Sequence, residues 1–455
     1  MRKKIFLFFL FFVNFLVFAP KSLVWGEALS SSPVEAVKSI DSIQKNDRIL
    51  ILAPHPDDET IGCAGIIQEA LRIGAKVQVC YLTNGDHNEV SFIIYEKRLT
   101  FRRSEFIHMG EVRREEAVKA MKLLGLDKKD LVFLGYPDFG TFAIFSRFWQ
   151  QSGKPYKSLL TRISSVPYKK NMSFGASYVG ESILSDLKNV LLNYRPNKIF
   201  VTSSFDVNGD HKSLYLFLQV ALSDLKGNIP EPRVYLYLVH CVGWPLPRHY
   251  HPKLSLSPPE KFLNSQINWM KFELTPEQLE KKHQAILCYK SQTRISAFYL
   301  LAFARKNELF SDYAPIKLNR QVSLKDQAVS FFGYAVVDDC FLIRIKKSEE
   351  LNKSFRMQAY LFGYSYKKPF AQMPKIRIVT KYNRFRIFDK KTLIKPEGVS
   401  LELTPDALFL KLPLKVLGGP DFILASIKPY TGMTQQEFLP ADVAGFRKIE
   451  IRKAN

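Results

Sequence analysis

The order of apolar runs and amphipathic stretches predicts an α/β core followed by a β-rich tail. Ile49-Leu50-Ile51-Leu52-Ala53 is short and continuously apolar, the pattern of a strand buried on both faces, and a helical stretch from Glu59 to Ile73 follows it before Gly74. Lys76 to Leu82 reads as a second strand, so a βαβ unit opens the fold. The alternation continues through a helix from Glu111 to Leu124, a strand Leu131 to Leu134, a helix Glu181 to Tyr194, a strand Lys198 to Thr202 and an apolar helical stretch Leu214 to Leu222. The predicted class is α/β, with a Rossmann-like, mostly parallel sheet carrying helices on both faces. In such sheets the ligand crevice lies beyond the carboxyl ends of the strands, so the residues after Ala53, Leu82, Leu134 and Thr202 are expected to converge.

Two stretches, 86–110 and 141–178, break the alternation. The second is dense in rings (Phe142, Phe145, Phe148, Trp149, Tyr156, Tyr168, Phe174, Tyr178), which argues against disorder; rings that pack the insertion down are expected, with a lid as the alternative. A strand is read at Arg233 to His240, a helix opened by Thr275-Pro276 runs to Tyr289, and a helix at Ser296 to Lys306 closes the region. Beyond Tyr313 come short period-two segments, among them Phe341 to Ile345, Lys375 to Val379 and Leu408 to Leu412, which predict a C-terminal β-rich, sandwich-like domain. The expected division is 1–26, 40–310 and 313–455.

The first segment has a basic start (Arg2, Lys3, Lys4) and an apolar run from Ile5 to Phe18, the layout of a signal peptide or amino-terminal anchor. An exported protein is expected: periplasmic, secreted or tethered by its amino terminus. The formal charge is +23, and four of those charges lie in the first 26 residues. A surface this basic attracts anionic polymers or lipid head groups, so peripheral membrane association is expected; no nucleic-acid motif is present. The five cysteines are scattered and odd in number, which excludes a disulfide framework; Cys63, Cys80, Cys241 and Cys288 sit in apolar or periodic stretches and are expected as buried thiols.

The chemistry gathers in His55-Pro56-Asp57-Asp58-Glu59, at the end of the first strand. An acidic helix start accounts for Asp57, Asp58 and Glu59 but not for a histidine between prolines. A hydrolytic zinc site takes three protein ligands and leaves a fourth position open. Two could come from this turn. The run Asp206-Val207-Asn208-Gly209-Asp210-His211, after the strand ending at Thr202, supplies His211 as a third. His240, at a strand end near Trp244, is a further candidate.

These residues, with Thr83 and Gly85, Arg113-Arg114-Glu115-Glu116-Ala117, Gly135-Tyr136-Pro137-Asp138 and Tyr289-Lys290-Ser291-Gln292, resemble the PIG-L or LmbE-like family of zinc-dependent N-deacetylases over roughly residues 47 to 310. The resemblance implies a Rossmann-like deacetylase with His55, Asp58 and His211 as metal ligands, Asp57 as general base, substrate contact at Arg113 and a supporting role for Asp138 in substrate binding. Zinc is the implied cofactor, with iron(II) as the alternative for two histidines and a carboxylate. The chain departs from the family at Asn208, where well-known branches carry a histidine; an amide can donate to an oxyanion but cannot protonate a leaving amine. Asn208 and Asp210 are counted with Asp57 in the catalytic set, and His240 with Arg113 and Asp138 at the substrate. The implied substrate is an N-acylated amino sugar, in an anionic envelope glycan or a glycolipid. An amidase on a non-sugar amide and a glycan-binding protein without turnover are the competing readings. Fractionation of cells making the full chain should place it outside the cytosol or on the membrane, and soluble cytosolic protein beginning at Met1 or Arg2 would count against export.

Overall fold

A computed structural model describes residues 37–87, 102–263, 265–321, 332–346, 355–381, 384–404, 407–431, 434–435 and 444–452. The leader-like segment 1–26 lies outside them. The first part of the chain runs β1 (Lys38–Ser39), β2 (Arg48–Ala53), α1 (Asp58–Ile73), β3 (Lys76–Thr83), α2 (Arg103–Leu124), β4 (Leu131–Tyr136), α3 (Thr141–Arg147), α4 (Gly180–Tyr194), β5 (Lys198–Thr202), α5 (Gly209–Asp224), β6 (Arg233–Tyr237), β7 (Asn268–Glu273), α6 (Pro276–Leu287), α7 (Lys290–Leu300) and β8 (Asn307–Asp312). Its eight strands form one sheet in the order β1-β7-β8-β6-β5-β2-β3-β4. The stretch β6-β5-β2-β3-β4 is parallel throughout. From β2 the chain moves outward to β3 and β4, then returns to lay β5 and β6 on β2's other side. That reversal is a topological switch, and the crevice lies above it. Ile49, Leu50, Ile51 and Leu52 are fully buried, as their unbroken apolar run requires.

The structure differs from the sequence reading in several places. Helix α2 begins at Arg103, eight residues before the expected start, because Phe106 and Met109 extend its buried face and Glu105 accepts the Arg102 N–H at 3.0 Å. The stretch 141–178 contains the short helix α3, and Phe145, Trp149, Tyr168 and Tyr178 are buried, so most of its rings pack inward while Phe174 stays exposed. The helix read from Ser296 to Lys306 spans Lys290–Leu300 instead, and the chain then enters strand β8 antiparallel to β6 and β7. Strand β8 escaped notice because its buried polar residues find partners far away in sequence. Asn307 exchanges hydrogen bonds with the backbone of Leu256, and Glu308 pairs with Lys282 at 2.8 Å while accepting the Gly65 N–H at 2.8 Å. Of the expected buried thiols, Cys288 is only half-buried. Among the described residues no helix is long and apolar enough to cross a membrane.

The second part holds β9 (Ile316–Gln321), β10 (Phe332–Val337), β11 (Cys340–Lys346), β12 (Phe355–Tyr364), β13 (Lys375–Lys381), β14 (Arg384–Asp389), β15 (Thr392–Ile394), β16 (Ser400–Leu403), β17 (Ala407–Pro413), β18 (Phe422–Thr431), β19 (Thr434–Gln435) and β20 (Arg447–Arg452). They form one mostly antiparallel sheet in the order β15-β14-β13-β12-β18-β20-β9-β10-β11-β17-β16, with β19 paired to β18. Phe341, Ile343 and Ile345, Leu408, Leu410 and Leu412, Met357, Ala359 and Leu361, and Ile423, Ala425 and Ile427 meet in a single core. Period two puts their neighbours on the outer face. There Tyr360 and Phe362 pack on Phe142 and Phe145 of α3. Phe145 also meets Trp149, Phe217 of α5 and Phe370, so one fully buried ring joins the two sheets. Phe145→Ala should therefore lower stability by about 3–5 kcal/mol, as deletion of a fully buried aromatic does. A fall in the urea midpoint with an unchanged far-UV spectrum is the expected result; an unchanged midpoint would remove Phe145 from the joint.

Candidate metal centre

Strand β2 delivers Pro54-His55-Pro56-Asp57 to the start of α1. The prolines fix two φ angles and remove two N–H donors, which sets the path of the turn locally. Asp57 has φ +124°, a region non-glycine residues avoid at a cost on the order of 1–3 kcal/mol. Surrounding groups hold it there. Glu59 Oε2 accepts the Asp57 N–H at 3.1 Å, and Arg113 donates to Pro56 O at 2.8 Å and to Asp57 Oδ2 at 3.3 Å. Glu59 is itself fixed by Thr60 Oγ1 at 2.8 Å and by the hydroxyl of Tyr289. Ser291 in turn gives its N–H and hydroxyl to Glu116 of α2 at 2.9 and 2.6 Å. Two segments distant in sequence thus brace the turn and the helix behind it.

The turn brings three donor atoms together. His55 Nδ1 lies 3.2 Å from Asp58 Oδ2, His211 Nε2 lies 3.3 Å from the same oxygen, and the two nitrogens are 3.3 Å apart. Ligand bonds of roughly 2.0–2.2 Å place neighbouring ligands of a tetrahedral ion about 3.3–3.6 Å apart. The triangle therefore fits the three protein ligands of one divalent ion. Its electrostatics agree. Burial pushes His211 down, but Asp206 and Asp58 more than reverse it and hold its pKa near 9; His55 is likewise raised by Asp138, Asp210 and Asp58 against its own burial. Carboxylates around both rings make this a place that favours positive charge.

Outer groups aim the rings. His211 Nδ1 faces Asp206 Oδ2 at 3.0 Å, and Asp206 is held by the N–H groups of Asn208, Val239 and His240 at 2.8, 3.2 and 2.8 Å. His55 Nε2 faces Asp138 Oδ1 at 3.0 Å and Asp210 Oδ2 at 3.3 Å. Asp210 accepts the N–H of Phe139 at 2.6 Å and both N–H and hydroxyl of Thr141 at 3.1 and 2.5 Å. A carboxylate behind each ligating histidine fixes its tautomer and raises its basicity.

The residues singled out from sequence occupy different places. His55, Asp58 and His211 converge, with Asp57 beside them. Asp57 is pushed to about pH 8 by burial, opposed by Arg113 and reinforced by Asp58. Asp210 and Asp138 stand behind His55. Arg113, expected at the substrate, is buried behind the turn, where it donates to Gly85 O at 3.1 Å as well. Gly85 has φ +68°, and any side chain there would collide with that guanidinium. Asn208 caps α5, its Oδ1 accepting the Asp210 N–H at 2.8 Å. His240 is half-buried, its ring 4.7 Å from that of His211. Asp206, Glu59, Glu116 and Tyr289 received no role from sequence. Their carboxylates or hydroxyls within the quoted motifs were the available signal. A cavity of about 780 Å³ beside His108, Arg114 and Lys290 includes none of the converging groups.

A switch-point α/β sheet carrying a buried two-histidine, one-aspartate centre defines the class. Residues 50–222 match the PIG-L family, described as GlcNAc-PI de-N-acetylase. A glucosamine-6-phosphate deaminase-like protein of Bacteroides thetaiotaomicron is 22% identical over 268 residues, 55% of this chain and 36% of the relative. A 1D-myo-inositol 2-acetamido-2-deoxy-alpha-D-glucopyranoside deacetylase of Mycobacterium sp. strain KMS is 24% identical over 244 residues, 51% of this chain and 67% of the relative. This chain thus spans little more than a third of the first relative. Among solved structures, the N,N'-diacetylchitobiose deacetylase of Pyrococcus horikoshii aligns at 17% identity and TM-score 0.36, covering 58% of this chain and 84% of that one. The 4-carboxy-2-hydroxymuconate hydratase of Pseudomonas putida KT2440 aligns at 16% and 0.34, covering 59% and 97%.

Asp206→Asn should weaken the affinity of the purified protein for added zinc roughly 10–100-fold, the usual effect of removing a partner behind a ligating histidine. Competition with a chromogenic chelator reads it, and an unchanged affinity in a folded variant would show that His211 needs no such support.

Proposed function

We propose that this protein hydrolyses the N-acyl bond of an amino sugar, most simply an N-acetyl group, with zinc held by His55, Asp58 and His211. The observation that carries the reading is the pairing of a three-donor triangle with a carboxylate, Asp57, that lies beside it without belonging to it. A metal bound there lowers the pKa of water and polarises an acyl carbonyl. The remaining chemistry belongs to the chain. Asp57 Oδ2 is tethered to Arg113, while Oδ1 makes no hydrogen bond among the described residues. A carboxylate beside the ligands, and not itself one of them, is placed for proton transfer in both directions. Asp57 takes a proton from the attacking water, the amide C–N bond breaks, and the same carboxyl returns a proton to the departing amine. The products are a carboxylate and a free amino sugar. Arg113 keeps Asp57 in position.

The PIG-L match and the mycobacterial deacetylase favour an amino-sugar substrate over other amides. The strong positive charge and the leader-like amino terminus favour an anionic envelope glycan or a glycolipid, met outside the cytosol or at a membrane surface. The donor set suits iron(II) as well as zinc.

The two adjacent aspartates should fail differently. Asp57→Asn removes the base and leaves the triangle, so turnover of N-acetylglucosamine conjugates should fall roughly 10²–10⁴-fold with metal content retained. Asp58→Asn weakens a ligand, so metal should be lost and activity partly restored by excess zinc. Metal content and released acetate, measured side by side, decide it. Metal loss in Asp57→Asn with retention in Asp58→Asn would reverse the two roles.

A further inference from the structure

Where the outer face of the second sheet meets α3, a cavity of about 60 Å³ is lined by Ser146, Arg147, Tyr360, Phe362, Lys375, Arg377 and Lys390. Four of these side chains are basic and none is acidic; burial, reinforced by Lys390, holds the Lys375 amine well below the usual lysine pKa, so the charge rests mainly on Arg147, Arg377 and Lys390. The register explains the gathering: Tyr360 pairs with Arg377 and Phe362 with Lys375, which puts these two basic side chains on the face that looks toward α3. Lys375 is 1% exposed, and its Nζ donates to Phe370 O at 2.6 Å and Met373 O at 2.8 Å, so it forms the floor. Arg377 is half-buried over the ring of Phe388 at 4.4 Å, and Lys390 is half-buried beside it. Arg147 forms the lip. Arg147, Arg377 and Lys390 make no ion pair among the described residues. Asp389, next to Lys390, is not among the lining residues; it accepts the Lys375 N–H at 2.8 Å and favours the charged form of the Lys375 amine. Like charges gathered in a partly dehydrated cavity repel one another unless a counter-charge joins them.

The cavity is also tied to the metal centre. Helix α3 begins at Thr141, bonded to Asp210 behind His55, and ends at Arg147 on the cavity's lip. Seven residues of helix span about 10 Å. The surface beside that helix carries Tyr156, packed edge-on to Phe148 at 5.5 Å, and Lys391, whose Nζ sits 3.3 Å over the Phe148 ring. Rings and cations therefore continue from one place to the other.

We propose that Arg147, Arg377 and Lys390, over the buried Lys375, form an oxyanion subsite that receives a phosphate, sulfate or carboxylate group of the substrate glycan while its N-acyl group lies at the metal centre. The volume holds a few waters or one small anion, not a sugar ring. Guanidinium forks suit such groups, and lysine supplies a point charge. The assignment of the anion to the substrate rests on the deacetylase reading; the binding of an oxyanion does not.

The test uses the full chain, with Arg377→Gln and Lys390→Gln as separate variants so that misfolding of one leaves the other readable. Calorimetric titration with inorganic phosphate involves no turnover. Wild type should bind phosphate, and each variant should bind it about tenfold more weakly, the scale of one charge-assisted hydrogen bond. Equal phosphate affinity in wild type and both folded variants overturns the subsite. In a second arm, kcat/KM is measured for a neutral N-acetylglucosamine oligosaccharide and for the same oligosaccharide bearing a phosphate. The charged-to-neutral ratio should fall about tenfold in each variant. Weakened phosphate binding with an unchanged ratio overturns the link to substrate and leaves a site for the free ion. Variant-sensitive phosphate binding in a metal-loaded wild type that cleaves neither oligosaccharide supports the subsite while defeating the deacetylase reading.

Discussion

The constraint on which the rest of the site depends is the backbone of Asp57, held at φ +124° between a strand and a helix. No side chain adopts that conformation for its own sake, and the surroundings supply what it lacks. Glu59 takes the N–H that the bend exposes, and Arg113 ties down the carbonyl before it and the carboxylate itself. With the turn fixed, Asp58 faces His55 and His211 while Asp57 points to one side. The division of labour between two identical neighbouring side chains follows from one strained residue.

Burying so many ionisable groups together is costly unless each has a partner. The arrangement answers this by alternating signs outward from the centre: imidazoles around Asp58, carboxylates behind the imidazoles, then backbone N–H groups and hydroxyls behind the carboxylates. Asp206 and Asp210 each occupy the second of these positions and each lies in the loop or first turn that opens α5. One short segment therefore carries one imidazole of the triangle, the carboxylate behind it and a carboxylate behind the other histidine. Strands β2 and β5 are neighbours, which is why two loops from distant parts of the sequence can share the load.

The second sheet is joined to this scaffold by aromatic packing. Alternate residues of its strands fill its own core, the complementary set meets α3 through Tyr360 and Phe362, and the Tyr364 hydroxyl donates to Asp224 of α5 at 2.9 Å. Helix α3 thereby touches the metal centre at one end and the second sheet at the other.

Much of this was legible in the chain. The unbroken apolar run of β2, the alternation of strands and helices and the His-Pro-Asp-Asp-Glu turn are local patterns, governed by periodicity and by the fixed φ of proline, so they needed no tertiary knowledge. The convergence of His55, Asp58 and His211 also followed, because carboxyl ends of adjacent parallel strands must share one crevice. What stayed hidden depended on partners far away. Strand β8 is polar at Asn307 and Glu308, and only the neighbours that satisfy them make it a buried strand. Arg113 looks like a surface helix residue until α2 is packed against the turn. Lys375, Arg377 and Lys390 read as scattered charges on a basic chain until strand register gathers them on one face. The sequence by itself determined which residue types stand at the ends of which elements, since that is set by short-range geometry. Only the tertiary structure decided which of those groups face each other, because burial, hydrogen bonding and the field at each charge arise from contacts between segments that the order of residues does not bring together.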